Sequence, residues 1–244
     1  MAGADDSRGA RAGRHAFRFF VDEVGAKGAI VPLSEFDARH ARVLHGAQTE
    51  AHVEVVDGDG VLWTGRFDGP AGRVVLEQRI GAIAEREVEL LAFVTVGGKT
   101  DELVDAAVQA GATRVVPVVR SERDRAKVDA RADRLTRIAT SAAKQAKRAR
   151  VPEVATAVGV EDVLALAPGV VVDPSAPSTL DAVLSGIGTA DPVRLLIGAA
   201  DGFPAGLVEQ LADAGWQRGR LGPSILRAEL AAALAVAIAT MHTT

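Results

Sequence analysis

The sequence contains no cysteine and no tyrosine, and it has few aromatic side chains of any kind. The absence of cysteine excludes disulfide bonds and thiolate metal sites, and it fits a reducing compartment without proving one. Aromatic residues make up 4% of the chain, so surfaces that stack successive unpaired bases on aromatic rings are not expected. Recognition through shape, backbone groups and charge is favoured instead.

Long apolar runs are also missing. The most apolar segment, 221–240, carries Arg227 and Glu229, and the uncharged stretch after Glu229 is about half of the roughly 20 residues that a bilayer span requires. The first twenty residues lack the continuous apolar stretch of a secretory signal. We therefore expect a cytoplasmic protein whose last helix is buried in a core or an interface. The two charges then need a partner, a ligand or water.

The common short motifs of nucleotide, hydrolase and metal sites are not present. The segment "TVGGKT" resembles a phosphate loop, but the Walker pattern requires a glycine where Phe93 stands. No G-x-G-x-x-G follows a strand pattern, and there is no G-x-S-x-G elbow. The five histidines show no zinc spacing, so the sequence predicts no metal site.

The charge is distributed unevenly along the chain. The whole sequence has a net charge of -4, yet residues 114–150 contain twelve Lys or Arg against four acidic residues, a local charge of +8. Such a block suggests an anionic partner, with nucleic acid the leading candidate. A solvated helix face would explain the same block equally well.

The pattern of apolar residues divides the chain near 81–87. Residues 1–13 are small and polar and are expected to be disordered. From Phe17 to Ile80 the pattern is that of short strands with tight turns. Residues 51–80 alternate in period two, broken by Asp-Gly turns, which predicts a β-meander long enough for a small barrel, and residues 33–45 before them are predicted to form one short helix. Beyond the division, strands alternate with helices, which predicts an α/β layer with a parallel sheet. The longest predicted helix covers 128–150 and ends at Pro152.

Two glycine-containing turns follow late strands of this α/β region. They are "LLIGAADGF", with Gly198 and Gly202, and "RLGPSILRAE", with Gly222. Ligands of open α/β sheets lie beyond the carboxyl ends of the strands, and glycine lets backbone approach a ligand closely. Side by side, the two turns would form an apolar slot for a nucleobase. On spacing alone, plain strand-to-helix turns are the simpler interpretation.

The same motifs resemble those of the ribosomal RNA small subunit methyltransferase E family, over about residues 14–240. "LLIGAADGF" stands where the family has I-G-P-E-G-G-F, and "LGPSILRAELA" where it has L-G-x-x-I-L-R-x-E/S-T-A. Weaker similarities are "RHAFRFFV", "HARVLHGAQTEAHVEVVDGDG", "SERDRAK" and "SAAKQAKRARVPEV". The resemblance implies S-adenosylmethionine-dependent methylation of N3 of a uridine in 16S rRNA of the small ribosomal subunit.

The resemblance also implies an architecture. Residues 14–83 would form a PUA-like RNA-binding β-barrel, and residues 84–244 a SPOUT α/β methyltransferase domain with a C-terminal trefoil knot. The final helix would pack against a second subunit, so that the protein is a homodimer. These features come from the family, because no periodicity in the sequence can reveal a knot.

Site residues follow from the resemblance as well. It places Arg227 at the pocket rim, where its charge would stabilise the reacting ring, and Glu229 would hold Arg227 or cap the helix. The residues expected to bind the cofactor are Ile197, Gly198, Gly202, Leu221, Gly222, Ile225 and Leu226. The residues expected to bind RNA are Arg14, Arg18, Arg123, Lys144, Arg148 and Arg150.

The first family motif is altered in this chain, where Ala199-Ala200-Asp201 replaces Pro-Glu-Gly. Asp201 would be a displaced substitute for the lost glutamate. The alteration leaves two other interpretations open: an RNA-binding or ribosome-assembly homologue with impaired catalysis, and a methyltransferase for a different RNA.

Overall fold

The computed structural model of the chain describes residues 17–21, 23–45, 51–58, 60–94, 98–188 and 191–242. They form two compact units that divide between Ala84 and Glu85. Segment 1–13 and the candidate residue Arg14 lie outside the described residues. Within the described ranges, no helix combines the length and the apolar character needed to cross a membrane.

The first unit is a five-stranded sheet with one helix. Its elements are β1 (Arg18–Phe20), β2 (Ile30–Pro32), α1 (Glu35–His45), β3 (Ala51–Val56), β4 (Val61–Asp68) and β5 (Arg73–Ala82). The strand order is β1-β3-β4-β5-β2, and β3, β4 and β5 pair antiparallel as the alternating pattern predicts. β1 pairs parallel with β3. The alternation buries one set of side chains, with Val53, Val55, Phe67 and Leu76 in the core.

The second unit is a parallel sheet covered by helices. Its elements are β6 (Val88–Phe93), α2 (Gly98–Ala110), β7 (Arg114–Val118), α3 (Glu122–Asp129), α4 (Ala132–Gln145), β8 (Glu153–Val154), α5 (Val160–Leu164), β9 (Val170–Val172), α6 (Leu180–Leu184), β10 (Val193–Ile197), α7 (Leu207–Asp213), β11 (Gln217–Gly219) and α8 (Ala228–Met241). The order is β11-β9-β10-β6-β7-β8, with every neighbouring pair parallel. The α/β prediction is confirmed.

The order of these strands fixes where a ligand can bind. After β6 the chain continues to β7 on one side, whereas after β10 it crosses to β11 on the other side. Such a reversal leaves a crevice at the carboxyl ends of the strands, which is the usual ligand position in open α/β sheets. The turn after β10 and the segment after β11 both begin at this edge.

The long basic helix predicted over 128–150 is two helices. α3 ends at Asp129, α4 begins at Ala132, and α4 ends at Gln145, well before Pro152. Lys147, two residues after the end of α4, has a left-handed φ of 53°, and the Arg148 N–H donates to the Ala143 carbonyl at 2.9 Å. This is a Schellman-type cap, in which a lysine takes the position usually held by glycine.

α8 packs against α2, and a glycine makes their close approach possible. A Cβ on Gly111, which ends α2, would lie 2.6 Å from Cγ2 of Thr240 in α8. The face of α8 that meets the protein is made of small side chains, among them Ala232, Ala235 and Ala239. Leu230 and Leu234 on another face are exposed.

Candidate functional site

A cavity of about 550 Å³, called here the first cavity, lies at the carboxyl ends of β9 and β10 and beside the segment after β11. Its volume is in the range of small-molecule sites. The residues predicted to bind a cofactor all line it: Ile197, Gly198, Gly202, Leu221, Gly222, Ile225 and Leu226. The two glycine-containing turns, which lie on either side of α7 in the sequence, therefore meet in one cavity.

The turn after β10 is tight, and its glycines allow the close approach. The Gly202 N–H donates to the Ala199 carbonyl at 2.9 Å, and Gly202 has a left-handed φ of 86°. A Cβ on Gly198 would lie 3.3 Å from the carbonyl carbon of Gly202 and from the Phe203 ring. A larger residue at either position would change the shape of the cavity wall.

The segment after β11 borders open space. A Cβ on Gly222 would have no atom within 4 Å, because Gly222 faces the open space of the first cavity. Ile225 is 86% exposed, which is unusual for a large apolar side chain. This wall thus presents backbone and apolar surface that the described residues do not cover.

Asp173 and Arg218 form a polar wall of the first cavity that the sequence analysis missed. Asp173 follows β9, is buried, and accepts hydrogen bonds from the Ser175 N–H and hydroxyl, both at 2.8 Å, and from Nε of Arg218 at 2.9 Å. Burial alone would raise the pKa of Asp173, but the hydrogen bonds from Ser175 and Arg218 outweigh it and lower the pKa. The signal was an acidic residue directly after the buried strand "GVVV".

A second cavity, of about 250 Å³, lies against the first. Lys99, Arg227 and Glu229 line it together with Phe93 at the end of β6. Five residues line both cavities and are called here the shared wall: Ala199, Ala200, Ile225, Leu226 and Ala228. The second cavity thus brings two cationic side chains and a carboxylate next to the cofactor-sized space.

Arg227 and Glu229 stand at the start of α8. Arg227 is the N-cap residue, and its carbonyl accepts from the Ala231 N–H at 2.8 Å. Glu229 lies in the first turn, where the helix dipole favours a carboxylate. Among the residues that the structure describes, no ion pair or hydrogen bond joins the Glu229 and Arg227 side chains, and the place of Glu229 in the first turn fits its other expected role, capping the helix.

Asp201 does not take the place of the lost glutamate. It lines neither cavity, and its carboxylate is bound by the guanidinium of Arg120, at 2.7 and 2.9 Å. The hydrogen bond from Arg120 holds the pKa of Asp201 below its usual value. Asp201 is therefore paired with Arg120 outside both cavities.

Two of the predicted RNA-binding arginines are not available to phosphate. Arg148 is 7% exposed and donates to the Val108 and Ala112 carbonyls and to the Glu85 carboxylate. The Arg18 side chain is 8% exposed and bound to Glu54 at 2.9 Å. Both guanidinium groups are buried and paired, which leaves little of either side chain accessible to an RNA phosphate.

The rest of the basic block is partly neutralised. Arg131 and Arg134 both bind Asp101, and Arg125 binds Asp162. Of the remaining candidates, Arg123 and Arg150 are exposed and Lys144 is partly exposed. The block therefore presents less free charge than its composition suggests.

The fold and the site define an α/β protein with a nucleotide-sized cavity at a crossover of a parallel sheet, preceded by a curled five-stranded sheet. The model of the RNA methyltransferase domain family matches residues 84–240. The chain therefore belongs to the RNA methyltransferase domain family, and the resemblance seen in its motifs is confirmed. No curated protein matches the sequence.

Solved structures agree with this assignment. The ribosomal RNA small subunit methyltransferase E of Neisseria gonorrhoeae, bound to S-adenosyl methionine, is 25% identical, with a TM-score of 0.76 over 91% of this chain and 96% of the other. A Legionella pneumophila protein in complex with SAM is 20% identical, with a TM-score of 0.75 over 93% and 97% of the two chains. The fold class of PUA-like barrel and SPOUT domain is confirmed, and the trefoil knot stays a prediction.

Proposed function

We propose that the protein transfers a methyl group from S-adenosylmethionine to N3 of a uridine in 16S rRNA. The observation that carries the proposal is the meeting of the two motif turns in one cavity, whose shared wall separates it from a second cavity with charged side chains. A donor and an acceptor that react directly must occupy adjacent spaces.

The residues of the first cavity fit the donor. Backbone at Gly198, Gly202 and Gly222 offers hydrogen-bonding groups without side-chain obstruction, and Leu221 and Leu226 add apolar surface for an adenine ring. S-adenosylmethionine supplies an already activated methyl group on a sulfonium sulfur, so the chain has mainly to position and desolvate the reactants. The open space at Gly222 is where a side chain would obstruct such a ligand.

The second cavity is assigned to the acceptor base. Uracil N3 carries a proton that must leave when the ring is methylated, and the partly buried Glu229 is the carboxylate in this cavity that can accept it. Lys99 and Arg227 would stabilise the negative charge that develops on the ring as the proton leaves. The role of Arg227 expected from the sequence is thus kept, and Lys99 is added to it.

The remaining assignments concern the RNA and the quaternary structure. We assign residues 14–83 to RNA binding and 84–244 to methyl transfer. Arg123, Lys144 and Arg150 are the side chains on the second unit that would contact phosphate. The exposed Leu230, Leu234 and Met241 on α8 would pack against a second copy in a homodimer.

Calorimetric titration with S-adenosylmethionine tests the cofactor assignment. We expect the wild type to bind and Gly222→Val to lose most of the affinity, because the new side chain takes space that the ligand needs. Gly186→Val is the matched control, since a Cβ there meets only an ordinary contact and Gly186 lines neither cavity. A wild type that gives no heat and no thermal stabilisation, or a Gly222→Val protein that binds normally, contradicts the assignment.

Mass spectrometry of 16S rRNA tests the acceptor. A strain lacking the protein should lose one N3-methyluridine, and the purified protein should restore it. If the protein binds the cofactor but methylates an RNA other than 16S rRNA, that RNA is the substrate. RNA binding with no methylation of any RNA would identify the impaired homologue.

A further inference from the structure

Arg120 joins three strand ends at the carboxyl edge of the sheet. It lies two residues after β7, and its guanidinium donates to both carboxylate oxygens of Asp201 and, at 2.7 Å, to the Gly202 carbonyl in the turn after β10. The guanidinium carbon also lies 5.7 Å from the ring centre of Phe93, the last residue of β6. One side chain thus spans from β7 across β6 to the turn after β10.

The bound turn forms part of both cavities. Ala199 and Ala200 belong to the shared wall, and Phe203 lines the first cavity and packs edge-on against Phe93 with ring centres 6.0 Å apart. Within the turn itself, the Gly202 N–H bond to Ala199 and the bridge between the same residues supply the backbone order. The two alanines have no side-chain group that could fix the turn, and no proline restricts it.

The contribution of this pair to overall stability should be small. The Arg120 and Asp201 side chains are 39% and 68% exposed, and ion pairs this exposed to solvent contribute little to stability. A two-pronged arginine–carboxylate contact nevertheless fixes geometry strongly, because both hydrogen bonds must be aligned at once. A turn that is ordered before binding spares the ligand the entropy cost of ordering it.

We infer that Arg120 is a positioning residue, which through Asp201 and Gly202 holds the 199–202 turn in the shape that the donor cavity requires. The ligand part of this inference rests on the proposed function. The structural part concerns the chain alone, so the two are tested by different measurements.

Hydrogen exchange of the ligand-free protein tests the structural part. In Arg120→Lys and Asp201→Asn, peptides covering 198–206 should exchange faster by about tenfold, since a lysine cannot make the paired contact. The matched control is Arg125→Lys, which alters another Arg–Asp pair, between the partly exposed Arg125 and the exposed Asp162, away from both cavities. If the peptides covering 198–206 exchange no faster in Arg120→Lys and Asp201→Asn than in Arg125→Lys, the inference is overturned.

Affinity for S-adenosylmethionine tests the ligand part. We expect about tenfold weaker binding in each single variant, a double variant no weaker than either single one, and melting temperatures equal to that of Arg125→Lys. Unchanged affinity in the variants of a wild type that binds overturns this part. A wild type that does not bind overturns the proposed function and this part with it, while the exchange result still decides the role of Arg120 in the turn.

Discussion

The buried guanidinium of Arg148 lies 2.5 Å from a carboxylate oxygen of Glu85. The same side chain donates to the Val108 carbonyl at the end of α2 and to the Ala112 carbonyl beyond it, while Glu85 also accepts from the Ala149 N–H. Arg148 therefore supplies a hydrogen-bond donor to the end of α2. It also connects the segment after α4 to Glu85, at the start of the second unit.

Replacing Arg148 by alanine should destabilise the protein by about 3–5 kcal/mol, because the partly buried Glu85 carboxylate loses its charged partner and the Val108 and Ala112 carbonyls each lose a hydrogen-bond donor. Urea unfolding measures the loss. Arg150→Ala is the control two residues away, where an exposed side chain should change stability by less than about 0.5 kcal/mol. Equal stability of the two variants would show that the Arg148 contacts contribute nothing.

Asp173→Asn should reduce stability in a pH-dependent way. The folded-state pKa of Asp173 is lowered, so its ionised form stabilises the fold above the unfolded pKa of about 3.9, and this contribution is lost as pH falls through the folded value. We expect a deficit of about 1–3 kcal/mol near pH 7 that shrinks in acid. Unfolding curves from pH 3 to pH 7 measure it, and a deficit that stays constant with pH would contradict the assignment.

Glu229→Gln should lower kcat by about 10²–10⁴ while leaving the affinity for S-adenosylmethionine unchanged, since Glu229 lines the second cavity only. Arg227→Ala should lower kcat by about a hundredfold for the loss of charge stabilisation. Single-turnover methylation of RNA measures the rate constant of methyl transfer in both variants. Glu161→Gln, an exposed carboxylate on α5, is the control, and a Glu229→Gln enzyme as fast as this control would exclude Glu229 as the base.

The protein should sediment as a dimer at micromolar concentration. Leu234→Glu places a charge in the exposed apolar face of α8 and should produce a monomer that still folds. Val43→Glu tests whether any exposed apolar residue has this effect, since Val43 is exposed on α1 in the first unit. If the wild type is a monomer, or if both variants remain dimers, α8 is not the interface.

The strands of the parallel sheet could be predicted because each is a short apolar run bounded by polar or glycine residues, as in "VRLLIG" before Gly198. The same local signal located the two turns of the first cavity. β8 was missed, because a strand of two residues leaves no period to detect, and β11 was expected only as the end of a late strand before the second turn.

The features that the sequence did not reveal have a common physical cause. Each depends on residues far away in the sequence or on a backbone conformation that is rare for its residue type. The break at Ala130 has no glycine or proline to mark it, and Lys147 adopts a left-handed conformation that sequence patterns assign to glycine. The burial of Arg148 depends on Glu85, 63 positions earlier, and that of Arg18 on Glu54. The sequence shows neither pairing, so both residues look like free cations in it.

The shared wall has a thermodynamic consequence. Because Ala199, Ala200, Ile225, Leu226 and Ala228 face both spaces, a molecule that shifts them from one side alters the energy of occupancy on the other. Linkage makes this influence equal in both directions, so donor and acceptor must each change the dissociation constant of the other by the same factor. A partition of apolar side chains thus makes the two affinities depend on each other, whichever ligand binds first.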